Sequence, residues 1–149
     1  DAVDVSPRAL ETARANVAAA GVRATVYASN LFSAVRGRYD VIAFNPPMNA
    51  GESELTRLVT STLRRWTRLA RLLMRLGEPV QPAARDRFLV DCLRQAGAHL
   101  TEAGRVLLVL GPREIDALAA AVPEATLHRR TPVPTLAPLE IAEFGFDRR

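Results

Sequence analysis

The sequence contains no lysine, and all 20 of its Lys and Arg positions are arginine. Together with the many alanines, this bias indicates the base composition of a GC-rich genome rather than a surface selected for phosphate binding. The 16 acidic residues leave a net charge of +4. A charge of this size is compatible with a nucleic-acid partner but does not require one.

Cysteine and long apolar runs are also scarce. The single cysteine, Cys92, excludes an intrachain disulfide framework and a cysteine metal cluster, so a reducing cytoplasm is the expected location. No apolar run approaches the ~20 residues that span a bilayer, so we expect no membrane contact. His99 and His128 have no acid or cysteine at metal-ligand spacing, so we expect no metal.

Strand-like and helical stretches alternate along the 149 residues, a length within the range of one globular domain. This alternation predicts an α/β fold with a parallel sheet covered by helices on both faces. A continuous apolar run at 39–44 favours a strand buried on both faces. The predicted strands are 2–5, 23–29, 39–44, 104–111 and a final pair at 125–133 and 139–146; the predicted helices are 7–20, 55–76, 83–100 and 112–122.

Polar side chains stand where the first three strands end: Asp4, then Ser29 with Asn30, then Asn45. Ligands of such sheets bind at the carboxyl ends of the strands, so one ligand could contact all three positions. A carboxylate at the position of Asp4 commonly holds a ribose diol. The alternative is that Asp4 caps the following helix, because it lies just before Ser6 and Pro7.

The third of these ends carries the stretch FNPP, Phe44 to Pro47. Two consecutive prolines remove two backbone donors directly after an apolar run, so the strand stops abruptly with an asparagine at its end. Each proline also holds the residue before it in an extended conformation.

Residues 4–47, DVSPRALETARANVAAAGVRATVYASNLFSAVRGRYDVIAFNPP, resemble the cofactor-binding half of class I S-adenosylmethionine-dependent methyltransferases. The resemblance is to the group with an Asn-Pro-Pro-aromatic motif after the fourth strand, and it extends to Gly51. Within that group the stretch is most similar to ribosomal RNA guanine-N2 methyltransferases. The protein glutamine-N5 methyltransferases are more distant.

The resemblance implies S-adenosylmethionine as the cofactor and a Rossmann-like sheet. Asp4 would hold the ribose, Asn30 the adenine amine, and Ser29 and Asn45 would complete the cofactor site. Phe32 would pack on the adenine ring, although a role in the core is an equal alternative. Asn30 stands where the family often has an acid, and its amide oxygen can still accept a hydrogen bond.

The family motif also implies a way to hold the target. The Asn45 side-chain oxygen and the Pro46 carbonyl could each accept one N–H of an exocyclic amine, in a geometry that Pro46 and Pro47 preorganise. We therefore interpret Asn45, Pro46 and Pro47 as the catalytic residues. Met48 replaces the usual stacking aromatic and would contact the substrate less specifically.

An arginine stripe follows the motif, and no acid occurs between Glu54 and Glu78. Arg64 and Arg68 would be its substrate contacts if the stripe tracks an RNA backbone. The alternative is a solvated face opposite a leucine stripe. The arginines at three- and four-residue steps are Arg57, Arg64, Arg68, Arg71 and Arg75.

In the family, a first strand and a Gly-rich cofactor loop precede the position of Asp4. We therefore interpret residues 1–149 as a single methyltransferase domain that is incomplete at its amino terminus, with the missing segment supplied by the same gene or by a partner chain. The leading functional hypothesis is N-methylation of a guanine in ribosomal RNA. The alternatives are glutamine-N5 methylation of a protein, N-methylation of a small molecule, and a non-catalytic remnant of the fold.

Overall fold

The computed structural model describes residues 1–46, 82–134 and 138–146, without the side chains of 82–84. The predicted helix at 55–76, Pro47, Met48 and the arginine stripe lie outside these residues. The described elements are β1 (Ala2–Asp4), α1 (Pro7–Ala20), β2 (Val26–Ala28), β3 (Tyr39–Phe44), α2 (Pro82–Ala98), β4 (Leu100–Leu110), α3 (Pro112–Ala121), β5 (Ala125–Pro132) and β6 (Glu140–Phe146).

Helix α1 begins and ends at the residues that its sequence predicts. The Ser6 hydroxyl accepts a hydrogen bond from the Ala9 amide at 3.4 Å, and Pro7 occupies the first turn. Gly21 ends the helix with a φ of +64°, a left-handed conformation that glycine adopts without steric cost. Leu10 is the buried residue of the apolar face.

The strands form two sheets. In the first, β1 pairs in parallel with β2; in the second, the order is β3-β4-β6-β5. Strand β3 is parallel to β4, whereas β6 is antiparallel to both β4 and β5. The predicted late strand pair is therefore confirmed. Strand β2 is shorter than the predicted stretch 23–29 at both ends, in keeping with the three-residue length of its partner β1.

The core lies between α2, α3 and one face of the four-stranded sheet. Leu93 of α2 and Ile115 of α3 are fully buried against β4 and β6, where Val106, Leu108 and Phe144 are fully buried too. These side chains alternate along their strands, so a single face of β4 and β6 supplies them. Burial of such large aliphatic and aromatic groups contributes about 1.5 to 3 kcal/mol each.

Burial on both faces of β3 was predicted from its continuous apolar run, and this prediction is wrong. Ile42 and Phe44 pack against the core, but Val41 is 56% exposed and Ala43 is also exposed. The strand is covered on the α2 side, while its other face meets solvent in the described part of the chain. An apolar run shows that a strand tolerates burial without showing which faces are covered.

The boundary between α2 and β4 also differs from the prediction. Leu100 was assigned to the end of the helix, but it is the first residue of β4 and pairs with Tyr39 of β3. His99 makes the turn, with its amide bonded to the Ala96 carbonyl and its own carbonyl bonded to the Tyr39 amide at 2.8 Å. None of the helices in the described part of the chain has the length and apolar character needed to cross a membrane.

The Cys92 thiol makes the core sensitive to alkaline pH. Burial raises the pKa of Cys92 from its ordinary value of 9.0 to about 11. The unfolded chain therefore loses its thiol proton first, and the stability from the protonated thiol is fully present below pH 9 and lost as pH rises through 11. We expect the unfolding free energy to fall by about 2 kcal/mol by pH 11 relative to Cys92→Ala. Urea titrations of both proteins from pH 8 to 11 measure this, and a constant difference would contradict it.

Candidate active site

The carboxyl ends of β1 and β2 lie side by side. The Ser29 amide donates to the Asp4 carbonyl at 3.2 Å, which places Ser29 and Asn30 next to Asp4. One Asp4 carboxylate oxygen, Oδ1, accepts from the Ser6 amide at 2.7 Å, so the capping alternative is correct for that atom. Oδ2 makes no hydrogen bond to any described residue. The exposed carboxylate therefore caps α1 and still has an oxygen for a ligand.

Ser29 organises the turn that presents Asn30. Its side chain is buried, and its hydroxyl donates to the Leu31 carbonyl at 2.8 Å while accepting from the Ala34 amide at 3.1 Å. Leu31 has a φ of +48°, a left-handed conformation uncommon for a residue other than glycine. The Ser29 hydroxyl therefore donates its only hydrogen within the turn, whereas the side chain of Asn30 is exposed.

Phe32 lies against the body of the protein. Its ring stacks on the His99 imidazole, with ring centroids 5.1 Å apart and planes 16° apart, and it packs against the core. His99 Nδ1 is 3.1 Å from the Gly37 carbonyl oxygen, so the same histidine contacts both ends of the segment between Phe32 and β3. The structure shows the core role of Phe32, and its contact with adenine stays a prediction.

Asn45 follows the last residue of β3 and is exposed, whereas Pro46 beside it is buried. Phe44 fixes the strand just before Asn45. It pairs with Leu108 of β4, and its ring packs at a 58° tilt on Phe88 of α2, with centroids 6.0 Å apart. The exposed amide of Asn45 is therefore joined to a rigid strand end. Of the other predicted site residues, Pro47, Met48, Arg64 and Arg68 lie outside the described residues.

The predicted rim is divided between the two sheets. Asp4, Ser29 and Asn30 come together on the first sheet, and Asn45 belongs to the second. The described hydrogen bonds between the strands of the two sheets lie at the opposite ends of the strands. There the Asp1 carboxylate accepts from the Tyr27 hydroxyl at 3.2 Å and from the Tyr39 hydroxyl at 2.5 Å.

An ion pair at the carboxyl end of β4 was not found from the sequence. Arg85 Nε donates to Glu114 Oε1 at 2.6 Å, and Glu114 Oε2 accepts from the Gly111 amide at 2.9 Å. Glu114 three residues after the helix-capping Gly111 is a recognisable capping pattern, but its arginine partner is 29 residues away in sequence. Among the described residues, no group of three or more His, Cys, Asp or Glu could hold a metal ion.

A family model and several curated proteins are similar to the first part of the chain. The family model described as "Methyltransferase small domain" matches residues 1–71. The ribosomal RNA small subunit methyltransferase C of Escherichia coli K12 is 54% identical over 48 residues, which are 32% of this chain and 14% of that protein. The Shigella dysenteriae protein of the same name gives the same values. The match thus spans about one seventh of the length of these curated relatives.

Solved structures match nearly the whole chain. A Pyrococcus furiosus methyltransferase covers 99% of this chain and 61% of its own, with a TM-score of 0.65 and 16% identity. A ribosomal protein L11 methylase from Lactobacillus delbrueckii covers 98% of this chain and 57% of its own, with a TM-score of 0.61 and 14% identity. A T. thermophilus 16S rRNA N2 G1207 methyltransferase in complex with AdoMet and guanosine covers 98% of this chain and 30% of its own, with a TM-score of 0.55 and 17% identity. These similarities show the fold, and they confirm the predicted Rossmann-like class I α/β architecture.

The turn at Asn30 depends on the buried Ser29 hydroxyl. Replacing Ser29 by Ala leaves the Ala34 amide and the Leu31 carbonyl without that partner, so we expect a loss of about 1 to 3 kcal/mol of unfolding free energy. Ser33→Ala is the matched control, because the exposed Ser33 hydroxyl accepts from the Asn30 amide in the same turn. Chemical denaturation should rank the Ser29 variant clearly below the Ser33 variant, and equal losses would contradict this role.

Proposed function

We propose that the protein methylates the exocyclic amine of a guanine in ribosomal RNA, with S-adenosylmethionine as the methyl donor, and the match of residues 1–71 to the family model described as "Methyltransferase small domain" supports this proposal. The observation that carries the proposal is the Asn45–Pro46 pair at the end of β3, within the matched residues. The 54% identity to a ribosomal RNA methyltransferase and the fold shared with an enzyme solved with AdoMet and guanosine support this substrate.

The residues on the first sheet fit the adenosine part of this cofactor. A ribose diol needs a carboxylate acceptor, and Asp4 Oδ2 has no described partner. An adenine amine needs an acceptor beside it, which the exposed Asn30 side chain supplies. The bound cofactor contributes an electrophilic methyl group. The residues of this chain would orient it through Asp4 and Asn30, and Ser29 would shape the turn between them.

The residues on the second sheet fit an amine target. The exocyclic nitrogen of guanine is planar and its lone pair is delocalised, so positioning contributes more than a strong base. The Asn45 side-chain oxygen and the Pro46 carbonyl would each accept one N–H of that amine. Pro46 holds Asn45 extended, which fixes both acceptors before the substrate arrives.

The remaining predictions are part of the same proposal. We propose that the chain is one methyltransferase domain, that Pro47 and Met48 extend the target site, and that Arg64 and Arg68 contact the RNA. We also propose a cytoplasmic location, because the matched relatives are ribosomal RNA methyltransferases of bacteria. Ribosomal guanine is preferred over a protein glutamine or a small molecule because the 54% identical relative is a ribosomal RNA methyltransferase.

Replacing Asn45 by Ala tests the target site. Because the lost acceptor positions the amine, we expect kcat for transfer of labelled methyl groups to fall by about 100-fold or more. Cofactor affinity, measured by calorimetry, should stay within about twofold of the original value if Asn45 acts mainly on the target, and a larger loss would show that it also completes the cofactor site. Asn16→Ala, an exposed asparagine on α1, is the control and should transfer normally.

Two results would count against this mechanism. Unchanged transfer by the Asn45 variant would remove Asn45 from it. Release of the label by protease rather than by ribonuclease would show that the methylated target is a protein amide and not a guanine.

Asp4 has two roles that substitutions can separate. Asp4→Asn keeps an oxygen that can accept from the Ser6 amide but loses the carboxylate, so we expect cofactor affinity to fall about tenfold while the unfolding midpoint hardly changes. Ser6→Ala removes the cap on the Ala9 amide and should cost about 1 kcal/mol of stability without changing affinity. Calorimetry and thermal unfolding on both variants measure the two effects. Full cofactor affinity in Asp4→Asn would show that Asp4 serves only as a cap.

A further inference from the structure

The Arg85–Glu114 ion pair joins the first turns of α2 and α3. Its side chains are only 12% and 32% exposed, and Arg85 Nε lies 2.6 Å from Glu114 Oε1. The second Glu114 oxygen accepts from the Gly111 amide, directly after β4. Each carboxylate oxygen therefore has a donor on a different element. A partly buried pair with a charge-assisted hydrogen bond holds its geometry better than an exposed pair.

This ion pair lies at the same edge of the sheet as Asn45. Strands β3 and β4 run parallel, with Phe44 paired to Leu108, so Asn45 and Gly111 follow neighbouring strand ends. Helix α2 contacts both ends within one turn. Arg85 binds Glu114 beside Gly111, and Phe88, three residues later on the helix, packs on Phe44.

We propose that Arg85 and Glu114 are positioning residues for the methyl-transfer site. The ion pair fixes the first turn of α2 against the end of β4, and this turn fixes Phe44 through the ring of Phe88. Phe44 in turn sets the position of the Asn45 amide oxygen. The catalytic part of this inference depends on the proposed function, whereas the ordering of the strand end does not.

The chain contains a matched control on the same helix. Arg94 of α2 bonds Glu124, just after α3, with Nε and Oε1 2.8 Å apart. That pair also connects α2 with the region of α3, but its side chains are 51% and 47% exposed. Its position beyond the carboxyl end of α3 places it away from Gly111 and Asn45. The two pairs therefore separate general helix docking from positioning at the site.

The kinetic experiment compares Glu114→Gln with Glu124→Gln. The new amide at 114 keeps the side-chain shape but loses the charge and one acceptor oxygen, so Arg85 and Gly111 no longer each have an acceptor of their own. We expect kcat for methyl transfer to fall about tenfold and KM for the cofactor to stay within about twofold. Glu124→Gln should leave both constants unchanged. Arg85→Lys keeps the charge without the guanidinium fork, so its kcat should lie between those of Arg85→Met and the original protein.

Hydrogen exchange supplies a readout that does not depend on catalysis. Amides of residues 42–45 should exchange faster in Glu114→Gln than in Glu124→Gln, because only the first change loosens the turn that packs on Phe44. If the original protein transfers no methyl group, the proposed function fails and the exchange rates still decide the positioning role. Equal exchange and equal kcat in the two variants would overturn the proposal. So would a lower unfolding midpoint at 114 with unchanged kcat and exchange. If Glu114→Gln does not fold, Arg85→Lys takes its place in the exchange comparison.

Discussion

Burial of one face of β4 against α2 and α3 is the constraint on which the second sheet depends. Val106, Leu108 and Leu110 are fully buried, and the same strand pairs with β3 on one side and β6 on the other. The packed face fixes the register of β4, because a shift of one residue would turn these side chains to the opposite face. The register of β4 then fixes where β3 ends, and with it the position of Asn45.

The half of the site that we propose for the cofactor has a different physical basis. It is built from main-chain and capping hydrogen bonds at the ends of two three-residue strands rather than from a large core. The two hydrogen bonds of the Ser29 hydroxyl hold the turn that carries Asn30. Such short-range bonds place polar side chains precisely, but they contribute little apolar burial. The two halves of the site therefore differ in what holds them.

Capping and turn residues in the sequence predicted those element ends that depend only on neighbouring residues. Ser6, Pro7 and Gly21 set the ends of α1, and the chain follows them. The junction at Leu100 was misassigned because Gly97 lies inside the helix rather than after it, and pairing with Tyr39 draws Leu100 into the sheet. The faces of β3 and the partner of Glu114 depend on residues distant in sequence, which one sequence without its fold does not bring together. The Asn-Pro-Pro motif was recognisable because its conformational effect is entirely local.

The shared carboxylate of Asp1 gives the two sheets a mechanical relationship. It bonds hydroxyls of β2 and β3 at the amino ends of the strands, whereas no described hydrogen bond connects Asn45 with Asp4 or Asn30 at the carboxyl ends. Within the described residues, hydrogen bonds therefore connect the strands of the two sheets at one end and not at the end where a ligand would lie. A molecule that contacts both Asp4 and Asn45 would connect the two sheets at the carboxyl ends of their strands. Part of its binding free energy would then appear as resistance of the whole protein to unfolding.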